Sequence, residues 1–108
     1  MQIAQVRRYA MALPEVTEQP HHQSGSFRVR GKIFVTMPPG DEYIHVFVTE
    51  EDRERSLALY PEFVEKLFWG GKVAGLRVRL AGADSKAVDQ LISQAWTAKA
   101  PKTLRPAG

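Results

Sequence analysis

The stretch SFRVRGKIFVTM, Ser26 to Met37, decides the fold because it has the pattern of a β-hairpin. β-Branched and aromatic residues flank the pair Gly31 and Lys32, and glycine in the first central position is typical of a type II′ turn. Such a turn predicts a positive φ at Gly31. The stretch also holds Arg28 and Arg30, so the hairpin is either a basic wing that contacts an acidic partner or an ordinary solvated surface.

The turn predicts two different faces for this hairpin, because neighbouring residues of a strand point to opposite sides. The expected cross-strand pairs are Arg30 with Ile33, Val29 with Phe34, and Arg28 with Val35. The core face then carries Phe27, Val29, Phe34 and Thr36, and the basic face carries Arg28, Arg30, Ile33 and Val35. Arginine stems can cover the apolar side chains of the basic face while their guanidinium groups stay in water, which needs no partner.

The composition is that of one globular domain. The chain has 108 residues, of which 44% are hydrophobic and 25% charged, and we expect a single domain over residues 1–100 and a frayed tail over 101–108. The absence of cysteine excludes a disulfide framework, a thiolate metal site and a thiol nucleophile. Arg7 and Arg8 interrupt the first apolar stretch, and the sequence lacks the apolar run of a membrane span. A cytoplasmic protein is predicted.

The net charge of +3 is spread unevenly along the chain. Residues 1–40 hold five basic and two acidic side chains, residues 41–70 hold three and eight, and residues 71–108 hold seven and two. This asymmetry either builds a basic face for an acidic partner or only solvates the surface.

Apolar spacing predicts the helices. A first helix over about residues 2–13 ends before Pro14, and the last begins near Asp84 or Ser85. Thr49 can cap a second helix whose first turn is acidic, which the helix dipole favours. A short helix or irregular apolar turn is expected where Phe63, Val64, Leu67 and Phe68 occur.

The remaining segments read as strands. Pro20 makes EVTEQPHHQSG irregular or an edge strand, and YIHVFVT continues the hairpin into a three-stranded meander. In VAGLRVRLA the leucines and Val78 alternate with Arg77 and Arg79. The sequence therefore predicts an α+β domain with an antiparallel sheet of about four to five strands, and with N- and C-terminal helices packed on its apolar face. The expected core is Leu13, Phe27, Val29, Phe34, Ile44, Val46, Val48, Leu76, Val78, Leu80, Leu91, Ile92 and Trp96.

Four motifs in this order resemble the MmcQ/YjbR-like family of small bacterial proteins: LPEV, SFRVRGKIFV, WGGKVAGLRVRLA and AWTAKAPKTL. The resemblance spans roughly Val6 to Leu104. It implies a double-wing fold similar to that of frataxin-like proteins, and a DNA-binding role. The chain departs from the family pattern in the second histidine of PHH and at Ala95 and Trp96, where many members carry serine and tyrosine.

The sequence offers little for an enzyme. His21 and His22 are adjacent and would point to opposite faces of a strand, and His45 is distant, so no metal site is predicted. Helix capping explains the carboxylates at positions 50, 51, 52 and 54 without a cation. No serine has a nucleophile context, and no phosphate- or dinucleotide-binding glycine pattern occurs. WGGK is either a plain turn or a small anion nest with Lys72. We expect no cofactor. A binding domain is predicted, and the question of catalysis stays open.

Two binding hypotheses remain. The first is weak, non-specific binding of duplex DNA phosphates by Arg28, Arg30, Lys32, Lys72, Arg77 and Arg79. The arginines at 28, 30, 77 and 79 would form one patch if their two strands were near neighbours in the sheet. The second is a protein- or small-ligand-binding module that uses the face of Tyr43, His45 and Phe47, although a core role also explains those rings. A monomer is the default expectation.

Overall fold

The computed structural model describes residues 1–105. The helices are α1 (Ile3–Met11), α2 (Glu50–Leu59) and α3 (Ser85–Lys99), and the strands are β1 (Val16–His21), β2 (Ser24–Val29), β3 (Lys32–Met37), β4 (Tyr43–Val46), β5 (Val64–Trp69) and β6 (Lys72–Arg79). In this part of the chain six strands form one antiparallel sheet in the order β1-β2-β3-β4-β6-β5. The predicted α+β class is confirmed, with more strands than the four to five expected.

The three helices pack on one side of the sheet. Helix α3 packs on β3 and β4, and α1 contacts both α3 and β1. Trp96 of α3 donates its indole N–H to the carbonyl of Pro14 at 3.1 Å, and the hydroxyls of Tyr9 and Ser93 lie 2.6 Å apart. Helix α2 contacts β5, and its Ser56 and Tyr60 at its C-terminal end line a narrow cleft with α3.

The other side of the sheet is here called the open face. Strand alternation and the cross-strand pairs place on it the apolar Ile33 and Leu67, the β1 residues Thr17 and Gln19, and the side chains that matter below: Ser26, Arg28, Thr36, Tyr43, His45, Glu65, Trp69, Lys72, Arg77 and Arg79. The residues between them on the central strands point into the core, where Ile44 lies opposite Val78 and Val46 opposite Leu76. Every residue of the predicted core is buried except Leu13 and Val48, which are partly buried and pack against it.

The hairpin turn lies one residue earlier than predicted. Arg30 and Gly31 are the central residues, with φ values of 50° and 80°, and Val29 pairs with Lys32. Two positive φ values are typical of a type I′ turn, whose twist matches that of the flanking strands. The positive φ of Gly31 is confirmed, but its first position in the turn is wrong. Arg30 is held in its left-handed conformation by a two-hydrogen-bond pair with Glu15, at 2.7 and 3.0 Å.

A β-bulge changes the faces of the same hairpin. The pairing shifts between Phe27 and Arg28, so Val35 lies opposite Phe27 and Ile33 opposite Arg28. Phe34 is the extra residue of β3. The predicted places of Val35 on the basic face and of Thr36 on the core face are therefore wrong. The bulge turns Val35 toward the core, where it is buried together with Phe34, and puts Thr36 on the open face between Ser26 and His45.

Strand β5 replaces the helix or irregular turn predicted around Phe63 to Phe68. The apolar residues there have a spacing that fits a helix, but Gly70 and Gly71 both adopt positive φ values, 58° and 80°, and close a hairpin with β6. Pairing with β6 then supplies the backbone hydrogen bonds that a short isolated helix would lack. The WGGK motif is thus a two-residue hairpin turn.

The C-terminal residues extend past α3 in a single 3-10 turn. This turn spans Lys102–Leu104, and Leu104 packs against the core. Residues 106–108 of the predicted tail lie outside the described residues. Within residues 1–105, the helices are too short or too polar to cross a membrane.

Two strand glycines without positive φ allow a test of how closely β4 and β6 approach. A Cβ atom on Gly75 would lie 2.6 Å from the backbone oxygen of Val46, whereas one on Gly25 would meet only the flexible end of Met37, at 2.9 Å. We expect Gly75→Ala to lower the free energy of unfolding by about 1–3 kcal/mol, since the neighbouring backbone must move. Gly25→Ala should cost less than about 1 kcal/mol. Urea unfolding compares the variants, and equal effects would contradict the close approach.

Candidate nucleic-acid interface

A row of polar side chains crosses the open face. Five neighbouring strands contribute one side chain each to the row, and each lies opposite the next in the ladder. In the order β2, β3, β4, β6 and β5 they are Ser26, Thr36, His45, Arg77 and Glu65. The Cβ atoms of directly opposite residues are about 5 Å apart. The row exists because β2, β3, β4 and β6 place the buried residues Phe27, Val35, Val46 and Leu76 on the helical side.

His45 is the central member of this row. Its Nδ1 atom shares a hydrogen bond of 3.2 Å with the hydroxyl of Thr36, and Arg77 is its ladder partner on the other side. Burial, and then the nearby Arg77 cation, lower the pKa of His45 below its usual 6.5. The imidazole is therefore mainly neutral at pH 7, and the positive charge of the row belongs to Arg77.

Arg77 is held between an aromatic ring and a carboxylate. Its guanidinium carbon lies 3.8 Å from the centre of the Tyr43 ring, a cation–π contact. Its Nε lies 3.5 Å from a carboxylate oxygen of Glu65, yet it makes no hydrogen bond within residues 1–105 although the atom is buried. The side chain is 40% exposed, so part of the guanidinium plane faces solvent over Tyr43.

An aromatic cluster occupies the end of the face near the Gly70–Gly71 turn. The ring of Trp69 lies 5.2 Å from Phe47 and 6.5 Å from His45, measured between centroids. Phe47 is buried, whereas Trp69 is half exposed. Lys72 is directly opposite Trp69 in the β5–β6 ladder and is exposed. The end of the face thus presents an indole ring beside an ammonium group.

The structure does not bring the six predicted basic residues into one patch. Arg28, Lys72, Arg77 and Arg79 share the open face, but β2 and β6 are separated by β3 and β4. Three strand spacings put Arg28 about 14 Å from the β6 arginines across the sheet. Lys32 lies opposite the core residue Val29, hence on the helical side, and Arg30 lies in the turn. The expectation that the two arginine strands are near neighbours is wrong.

Arg28 and Arg79 keep an uncompensated charge. Arg28 donates to the Ser26 hydroxyl and to the Pro20 carbonyl, both at 3.1 Å, and Arg79 donates to the Glu62 carbonyl at 2.8 Å. Neutral acceptors orient these guanidinium groups without cancelling their charge. By contrast, Arg30 is paired with Glu15, which lowers the pKa of that carboxyl.

The acidic residues of the middle region lie mostly on the opposite side. Glu50, Glu51 and Asp52 form the first turn of α2, and the Thr49 hydroxyl caps it by accepting from the Asp52 N–H at 3.2 Å. Arg55 bonds Asp52 and Glu51 at 2.9 and 3.0 Å. These carboxylates are satisfied on the helical side, and Glu65 is the acidic member of the polar row.

Sequence reasoning missed Trp69 as a candidate site residue. The sequence predicts a plain turn or a small anion nest at its motif, and a helix or irregular turn for the residues before it. The available signal was the pattern Trp-Gly-Gly-Lys itself, because a glycine pair between two runs of β-forming residues is typical of a two-residue hairpin. That hairpin would have placed Trp69 opposite Lys72.

The fold and this face define a class: an α+β domain whose antiparallel sheet has its helices on one side and a polar, aromatic and basic surface on the other. A family model described as YjbR matches residues 11–98. The chain belongs to this family, as the resemblance of its four motifs implies. No curated protein matches the chain.

A solved structure shares the fold. It is the crystal structure of Deinococcus radiodurans protein DR2400, a protein with the family-model domain DUF419. The two chains are 18% identical and superpose with a TM-score of 0.77, over 97% of this chain and 86% of the other. At this identity the likeness shows the fold alone.

The lowered pKa of His45 predicts a pH dependence of stability. An unfolded histidine has a pKa of about 6.5, so below that pH the unfolded chain binds more protons at this position than the folded chain. The free energy of unfolding should fall as the pH drops from about 6.5 toward the lower folded pKa. His45→Gln should reduce that fall. Urea unfolding between about pH 7.5 and 5 measures both, and an unchanged slope in the variant would exclude His45 as its source.

Proposed function

We propose that the protein is a non-enzymatic binding domain whose open face binds nucleic acid weakly and without sequence preference, through phosphate contacts. The observation that carries the proposal is a set of cations on the open face that no carboxylate neutralises. Arg28, Arg79 and Lys72 occupy the open face without a carboxylate within ion-pair distance in residues 1–105, while the acidic turn of α2 lies on the helical side.

Phosphate contact is the chemistry that this arrangement supports. A guanidinium group that is already oriented by a carbonyl retains further N–H groups for a phosphate oxygen. Duplex DNA is the form that the sequence predicted, and non-specific binding of this kind has a dissociation constant of about 10⁻⁴ to 10⁻⁶ M near physiological salt. A cytoplasmic location, also expected from the sequence, is consistent with such a partner.

A small-ligand role for this face has less support. The hollow lined by Tyr43, Arg77, Arg79, Glu62 and Glu65 has a volume of about 150 Å³. Pockets that hold drug-sized ligands usually measure about 300–1,000 Å³ and enclose most of the ligand. A long polyanion that crosses the face satisfies the separated cations better than a small molecule confined to one end of the sheet.

Replacing Arg28 and Arg79 with alanine tests the proposal. Each phosphate contact contributes about 0.9 to the slope of log affinity against log salt for duplex DNA. The double variant Arg28→Ala/Arg79→Ala should therefore weaken binding and lower the slope by about one to two units. Fluorescence anisotropy of a labelled duplex, titrated at several salt concentrations, measures this change.

Arg55→Ala is the control, because Arg55 is an exposed arginine on the helical side, as Arg79 is on the open face. It should leave both affinity and slope unchanged. Circular dichroism confirms that each variant is folded. No binding by the unaltered protein at low salt, or equal effects of the open-face and α2 variants, would overturn the proposal.

A further inference from the structure

The indole of Trp69 is an exposed ring on a fixed base. It is 50% exposed, and one side of it packs beside the buried Phe47, whose centroid is 5.2 Å away. Trp69 is also the last residue of β5, directly before a turn whose two glycines have fixed positive φ values. An aromatic ring that is already ordered and half accessible loses little conformational freedom when a second flat ring packs on it.

Two cations of β6 lie on the same face as this ring. Lys72 is its direct cross-strand partner, at a distance of about 5 Å between Cβ atoms. Arg77 lies further along the strand of Lys72, on the same face of the sheet. Its ladder partner is His45, whose ring is 6.5 Å from the indole. A partner that packs on Trp69 therefore meets positive charge at once, which favours a flat ring carried by a polyanion over an apolar protein surface.

A second stacking surface lies at the other end of β4. The guanidinium plane of Arg77 covers Tyr43 at 3.8 Å and is partly open to solvent. Arginine planes and aromatic rings are the surfaces on which proteins stack unpaired bases. Tyr43 begins β4 and Phe47 directly follows it, four residues or about 13 Å further along the chain, so the two surfaces are separated by the length of the strand.

We infer that the open face binds single-stranded nucleic acid in preference to duplex, with an unpaired base stacked on Trp69 and phosphates held by Lys72 and the β6 arginines. The inference rests on the proposed nucleic-acid binding and specifies its substrate. A duplex keeps its base faces inside its own stack and can use only the cations of this surface, whereas a single strand can use the cations and the rings together. The duplex predicted from the sequence then becomes the weaker ligand.

The chain offers a matched pair for the test. Phe68 precedes Trp69 and is 58% exposed, against 50% for Trp69. It pairs with Val73 and points to the opposite side of the sheet from its neighbour. Trp69→Ala and Phe68→Ala therefore remove similar exposed rings from the same hairpin, one on the open face and one away from it.

The experiment compares a labelled oligothymidine of about twelve nucleotides with a mixed-sequence duplex of the same length, by fluorescence anisotropy at one salt concentration. The unaltered protein should bind the single strand more tightly. Trp69→Ala should weaken that binding by about 5- to 150-fold, the range expected for loss of one base stack, and leave the duplex affinity within about twofold. Phe68→Ala should change neither affinity.

Other outcomes separate the inference from the proposed function. Absence of binding to both ligands would overturn both. Binding to both ligands that Trp69→Ala does not change would overturn the inference alone and leave a phosphate-binding face. Equal losses in both variants would show a general effect of the hairpin and also overturn it. Sedimentation tests one further outcome. If the protein is a dimer that Trp69→Ala dissociates, the ring contacts a second copy of the chain, which would overturn the inference.

Discussion

The pairing of β4 with β6 is the contact on which the rest of the structure depends. It joins residues thirty or more positions apart, Ile44 with Val78 and Val46 with Leu76, and so connects the N-terminal meander to the C-terminal hairpin. The absence of a side chain at Gly75 lets the two strands approach, because a Cβ there would meet the Val46 carbonyl. With this register in place, the apolar residues of both strands meet α3, and the residues between them can only point to the open face.

Local alternation was enough to predict which side each residue of β6 occupies. Its leucines and Val78 are buried, and Arg77 and Arg79 are on the other side, because one face of the strand is apolar throughout. Alternation was not enough for the first hairpin. Its turn begins one residue earlier than the glycine predicts, with Arg30 at a positive φ and bonded to Glu15 outside the hairpin. Its bulge at Phe34 adds a residue that a simple two-residue period cannot anticipate.

The binding face was predicted in parts but not in its arrangement. The arginines of β2 and β6 were identified, and so was a separate face with Tyr43 and His45 for an alternative partner. The order of the strands cannot be read from the periodicity of the sequence. It places β4 beside β6, with β3 and β4 between β2 and β6. Arg77 consequently lies over Tyr43 rather than beside Arg28, so the residues of two competing hypotheses belong to one surface.

Because some cations of this surface are paired with carboxylates, charge alone can supply only part of the affinity for a polyanion. Arg77 shares its charge with Glu65, and Arg30 shares its own with Glu15, so the uncompensated cations of the face are few and about 14 Å apart across the sheet. Few phosphate contacts give weak binding with a shallow salt dependence, because each contact adds only about 0.9 to the slope of log affinity against log salt. Stacking on an aromatic ring does not depend on the release of ions, and one stacked base contributes about 1–3 kcal/mol. On a surface with few free cations, the stacking proposed on Trp69 would therefore decide which polyanion binds best.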